Sequence, residues 1–112
     1  MFAHESLDAY KCALEFVSWS TGIRRRLNSV QRNINDQLQR AEESIPLNIA
    51  EGNAKRRGPD RRRYLEPARA SAAECSAAID VLRITLVITQ EEAETGKDLL
   101  DRISAMLSKL SR

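Results

Sequence analysis

Residues 44–63 read SIPLNIAEGNAKRRGPDRRR, and the fold turns on how this stretch is read. Its first half has helical character with a proline inside it. Its second half is a run of arginines punctuated by glycine. A proline within a helix removes one backbone hydrogen bond, and its ring crowds the preceding turn. Ser44–Asn53 is therefore the end of one long kinked helix, or a new segment capped by Ser44. The residues upstream favour the first reading. Val30, Ile34, Leu38, Ala41, Ile45 and Ile49 are spaced 4-4-3-4-4. This is a helical period, and it crosses Pro46 without losing phase. Pro67 raises the same question further on, and a kink is again expected.

The same period recurs along the rest of the chain. Leu7, Tyr10, Leu14 and Val17 form one stripe, Tyr64, Ala68, Cys75, Ile79, Leu82 and Leu86 another, and Leu99, Ile103, Met106 and Leu110 a last one. No segment alternates as a strand would. Punctuation agrees with four helices, near 6–23, 29–53, 59–87 and 90–111. Ser6 is placed to cap the first, and Asn28 or Ser29 the second. Pro59 suits the first position of the third, with Asp60 at the positive end of its dipole. Thr89 and Glu92 have capping-box spacing for the fourth. Connections this short expect antiparallel neighbours. The fold expectation is all-α, an up-down-up-down antiparallel four-helix bundle forming one domain over residues 1–112.

Length and composition fit. A chain of 112 residues buries roughly 65% of its unfolded surface, enough for one modest core. Aromatics are only 4%, so alanine and the aliphatics must build it. No apolar run approaches the roughly 20 residues that span a bilayer, so no membrane association is expected. "MFAHESLDAY" lacks an apolar signal core, and the expected compartment is the cytoplasm. Cys12, Cys75 and the single histidine, His4, have no zinc spacing. The cysteines read as small buried apolar groups.

The net charge of +2 conceals an asymmetry. Arg24–Arg26 form one basic cluster, and Lys55, Arg56, Arg57, Arg61, Arg62 and Arg63 another. Together they hold nine of the 18 basic residues and only one of the 16 acids, Asp60. Such clusters neutralise phosphates and release counterions. Tyr64 is the one aromatic nearby, so any nucleic-acid contact is expected to read backbone or shape, not bases. In an up-and-down bundle the two clusters fall at opposite ends, roughly 40 Å apart. Their side chains are expected on exposed turns, with little effect on stability.

A polar stripe runs beside the apolar face of the second helix: Gln37, Arg40, Ser44, Asn48 and Glu51. Folding the second and third helices as a hairpin about Arg57 brings Ser71 level with Ser44, and Glu74 level with Arg40. An Arg40–Glu74 ion pair in a polar seam is expected. The seam reads as a device that fixes helix register or as a partner site. Catalysis has little to stand on. His4 has no partner, Glu51 and Glu74 lie about three turns apart in level, and "GNAKRRG" lacks phosphate-loop spacing. No enzyme activity, cofactor, metal or small-molecule substrate is expected.

Residues 37–57, QLQRAEESIPLNIAEGNAKRR, resemble the central signature of the four-helix-bundle proteins encoded in intervening sequences of large-subunit (23S) rRNA genes. The likeness falls on Gln37, Leu38, Arg40, Ala41, Ser44, Ile45, Pro46, Asn48, Ile49, Ala50, Glu51 and Gly52. It continues on Tyr64, Leu65, Ala68, Ser71 and Glu74, and Leu7–Ala13 is similar to the family's first helix. Ala70, Pro67 and Cys75 depart from the family pattern. The resemblance implies a left-handed bundle and a cyclic homopentamer. The accessory variability determinant proteins of diversity-generating retroelements look related, which implies RNA, DNA or a nucleic-acid enzyme as partner. The expected function is a non-enzymatic oligomeric binding module using its basic turns. The alternative is a structural, protein-interaction ring that binds no nucleic acid.

Overall fold

A computed structural model describes residues 2–112, the side chains of Glu5 and Ser6 excepted. Four helices follow a short 3-10 turn at Ala3–Ser6: α1 (Asp8–Arg24), α2 (Arg32–Asn53), α3 (Pro59–Ile84) and α4 (Gln90–Leu110). There is no strand among the described residues. α1 packs on α2 and α4, and α3 packs on the same two, so each helix touches two neighbours. The molecule measures 43 × 25 × 23 Å.

Helix ends follow local chemistry. The Ser6 cap lies outside the described residues. α1 starts behind Leu7, which makes no side-chain cap. Asn28 and Gln31 form a reciprocal capping box on a 3-10 turn, Ser29–Gln31, that leads into α2. Thr89 and Glu92 form the expected box on α4. α2 continues through Pro46 and α3 through Pro67, so neither proline breaks its helix.

α3 ends three residues earlier than the sequence suggested, at Ile84. Leu86 N–H donates to Arg83 O (3.0 Å) and Val87 N–H to Leu82 O (2.9 Å). This Schellman closure needs a left-handed residue at its turn. That residue is Leu86, with φ 64°, where glycine would be unstrained.

The core is built from Ala9, Phe16, Leu38, Ile45, Ile49, Leu65, Ala72, Ile79, Leu82, Ile103, Leu107 and neighbours of similar kind. Three expected core positions are exposed. Val30 lies in the 3-10 turn, whose tighter winding shifts the phase, and Leu86 lies beyond its helix. Leu14 is exposed because α1 turns a different face inward: Ala9, Cys12, Ala13, Phe16, Ser20 and Ile23 are buried. Small residues at 9, 12 and 13 let α1 approach its neighbours, while Leu7 and Tyr10 pack at the margin. Gly96 serves the same end on α4, since a Cβ there would collide with the Trp19 indole.

Candidate functional site

The α2–α3 turn is locked by one of its own arginines. Arg61, in the first turn of α3, reaches back across the connection. Its Nε donates to Gly52 O (3.2 Å), and its Nη2 to Asn53 O (3.3 Å) and Lys55 O (3.0 Å). Gly52 and Asn53 close α2 and Lys55 lies just beyond it, so the guanidinium caps helix-end carbonyls and meets the negative end of the α2 dipole. Gly58, at φ 108°, makes the reversal, and Pro59 opens α3. Gly52 is buried against Leu65, and an added Cβ would lie 3.0 Å from Leu65 Cδ2 and 3.3 Å from Arg61 O.

The other basic residues of this turn differ from Arg61 and from one another. Lys55 Nζ sits 5.4 Å from the Tyr64 ring centre and 3.9 Å from Glu51. Arg63 lies 3.9 Å from Asp60, both well exposed. Arg56, Arg57 and Arg62 are exposed and join no ion pair among the described residues. The turn thus presents three free guanidinium groups on a fixed backbone.

Arg24–Arg26 behave otherwise. Arg24 donates to Glu42 Oε1 and reaches Asn35 Oδ1 (3.5 Å) and Thr21 Oγ1 (3.4 Å). Arg26 pairs with Glu92 and donates to Val87 O (3.1 Å). The bond from Arg26 to Glu92, with the Thr89 cap, holds the Glu92 carboxyl below the usual carboxylate range. Of these three, Arg25 alone is exposed and joins no ion pair among the described residues. The expectation that both clusters are uniformly exposed is therefore corrected at Arg24 and Arg61, which are partly buried, while Arg26 is exposed but paired. Helix ends carry unpaired carbonyls and neighbouring acids that draw cations in.

The polar seam forms in part. Ser71 Oγ donates to Ser44 Oγ (2.9 Å), and Asn48 Nδ2 donates to both Ser44 O and Ser44 Oγ (2.9 Å each). Gln37, Arg40, Glu51 and Glu74 face solvent, and Arg40 and Glu74 make no ion pair among the described residues. Ser71 is level with Ser44 as the hairpin register expects, but Arg40 and Glu74 lie at exposed angular positions and carry their charges in water.

The buried carboxylate is Glu42, with no exposed surface. Burial pushes its carboxyl above the usual range, against the pull of Arg24 and of the Ser20 hydroxyl. Cys75 lies close enough to feel it, and its thiol is pushed up to about 12 by burial first and then by Glu42. The spacing Leu38, Glu42, Ile45, Ile49 held the signal: an acid in phase with the apolar stripe. No group of His, Cys, Asp and Glu among the described residues has the makings of a metal site. No helix among the described residues is long and apolar enough to cross a membrane.

A Bacteroides thetaiotaomicron protein of unknown function from the S23 ribosomal protein family has a similar solved structure. Its TM-score is 0.84 at 24% identity, over 93% of this chain and 98% of that one. At that identity the likeness concerns the fold. No curated protein matches the chain. The family model described as 23S rRNA-intervening sequence protein matches residues 5–109, in keeping with the signature at Ser44–Gly52. The chain belongs to the 23S rRNA-intervening sequence protein family.

Proposed function

We propose that this chain is a non-enzymatic binding module that grips the phosphate backbone of RNA at its α2–α3 turn. The observation that carries the reading is the triplet Arg56, Arg57 and Arg62, exposed and unpaired on a turn that Arg61 holds rigid. A fixed backbone lowers the cost of ordering those side chains on a ligand, and guanidinium groups match phosphate geometry. Lys55 and Arg63, with weak partners, extend the patch. The molecule is one up-down-up-down, left-handed domain acting in the cytoplasm as a homopentamer. Ser44 with Ser71, and Cys12 with Leu99, support antiparallel neighbours. Family resemblance supports the handedness and the ring. Five copies of the turn on one rim would multiply weak phosphate contacts.

The test is binding of a fluorescent single-stranded RNA across a salt series. Wild type is expected to bind at low salt and weaken steeply as salt rises. Changing Arg56, Arg57 and Arg62 to serine, with Arg61 kept, should abolish binding and leave the unfolding midpoint unchanged. Equal binding by wild type and the triple variant sinks the proposal.

A second reading has its own support. Val30, Val81, Ile84 and Leu86 are exposed apolar side chains, and Val30 and Val81 line one groove between α2 and α3. Such a patch suits a protein contact, as in a structural ring without nucleic acid. Leu86→Gly should relieve backbone strain in the chain itself. If it nevertheless breaks the oligomer in light scattering, and no salt-sensitive RNA binding is found, this reading replaces the first.

A further inference from the structure

Glu42 is fully buried on α2, yet only one of its oxygens is satisfied. Oε1 accepts from Arg24 Nε, while Oε2 has no hydrogen-bond partner. Ser20, on α1, is equally buried, and its hydroxyl also completes no bond of regular geometry. It nonetheless lies close enough to favour the ionised carboxyl. A buried acceptor left unsatisfied is costly. A hydroxyl is the neutral neighbour able to serve either protonation state, since it donates to a carboxylate and accepts from a carboxylic acid. When it accepts, its own hydrogen can turn to a main-chain carbonyl one helical turn back. The pocket can therefore hold both forms of Glu42, and the group whose position distinguishes them is Arg24.

We infer that Glu42 and Arg24 form a proton-operated clasp between α1 and α2. Ionised Glu42 holds Arg24 inward. A proton taken from solvent onto Oε2 and shared with Ser20 Oγ neutralises the carboxyl and lets Arg24 swing out. No bond breaks other than the salt bridge. The charged and titratable groups acting on Glu42 are Arg24 on α1 and Glu43 on α2, and Cys75 faces it from α3; α4 supplies none among the described residues. Arg24 keeps 15% of its side-chain surface exposed, so its path to water is short. Its remaining contacts, to Asn35 and Thr21, are long and to neutral acceptors, too weak to retain it alone. Once released, it stands beside Arg25, already exposed, and the end of α1 loses its tie to α2. The device needs no nucleic acid to operate, so its test is independent of the binding proposal.

The experiment follows two NMR signals of the full chain through an acid titration: the Glu42 carboxyl carbon and the Arg24 Nε–H. Protonation of Glu42 above the ordinary carboxylate range should coincide with a rise of about tenfold or more in Nε–H solvent exchange, the loss of one charge-assisted bond. In Glu42→Gln the exchange should be fast at every pH. Should that variant fold poorly, Ser20→Ala keeps both charged groups; removing the hydroxyl should move the paired transitions to higher pH together. An Arg24 Nε–H that stays protected after Glu42 has protonated overturns the clasp. So does a Ser20→Ala titration that does not move.

Discussion

Arg61 Nε lies 3.2 Å from Gly52 O, so an arginine at the start of one helix closes the end of the one before it. A residue that the sequence groups with five others as a candidate phosphate contact also ties together the turn that carries them. Arg61→Ser should cost about 1–2 kcal/mol in urea unfolding, given three main-chain acceptors and a half-buried position. Arg57→Ser should stay within about 0.5 kcal/mol. Equal costs for the two would show that the capping bonds contribute nothing.

Gly52 has little room to change. An alanine would press its Cβ on Leu65 Cδ2 at 3.0 Å and on the Arg61 main-chain oxygen at 3.3 Å. Leu65 is itself buried, and backbone yields less than a side chain. Gly52→Ala should cost about 1–3 kcal/mol by overpacking, against the usual gain from glycine to alanine in a helix. A raised melting temperature would refute the tight approach.

The Arg24–Glu42 pair invites a double-mutant cycle. At neutral pH, Arg24→Leu should cost about 3 kcal/mol, because it strands a buried carboxylate. Adding Glu42→Leu should recover a large part of that loss. Strictly additive costs would mean that the two side chains do not interact.

Glu42 and Glu92 should push the pH dependence of stability in opposite directions. Glu42 is raised above 4.5, so the folded chain binds its proton more tightly than the unfolded one. Its contribution is fully present below 4.5 and is lost as pH rises through the folded value. Glu92 is lowered below 4.5, so its smaller, solvent-screened contribution is present above 4.5 and lost as pH falls through its folded value. Urea titrations should show Glu42→Gln removing a decline in stability on the alkaline side of 4.5, and Arg26→Ala softening the fall on the acid side. A Glu42→Gln profile that parallels wild type would contradict the first assignment.

Helix number, the Asn28 and Thr89 caps and Pro59 at the head of α3 were legible because each depends on residues within a few positions of one another, and the Ser44–Ser71 level because a short turn between two long helices fixes their register. The face that α1 buries was not. Leu14 and Val17 are more apolar than Ala9 and Ala13, but close approach selects small residues, and only the neighbouring helices reveal how near they come. Which arginines find partners was not legible for a related reason. Arg24, Arg26 and Arg61 look like Arg56 and Arg57 in sequence, and what separates them is an acceptor contributed by another segment: Glu42, Glu92 or the end of α2. Glu42 stands in phase with the apolar stripe of α2, but a single acid there carries less pattern than the polar stripe at Gln37, Arg40 and Ser44.

The arrangement of neighbours also bears on the order in which contacts form. Ser44 meets Ser71 across a tight turn, 27 residues apart, whereas the Cys12 thiol donates to Leu99 O from 87 residues away. Closing the shorter loop costs less chain entropy, so the α2–α3 hairpin is the natural nucleus, and α1 and α4 close the structure last. Substitutions in the Gly52–Arg61 turn should therefore slow folding, while those between α1 and α4 should mainly speed unfolding. Amide exchange in the native protein should accordingly find the two terminal helices opening together before the central pair.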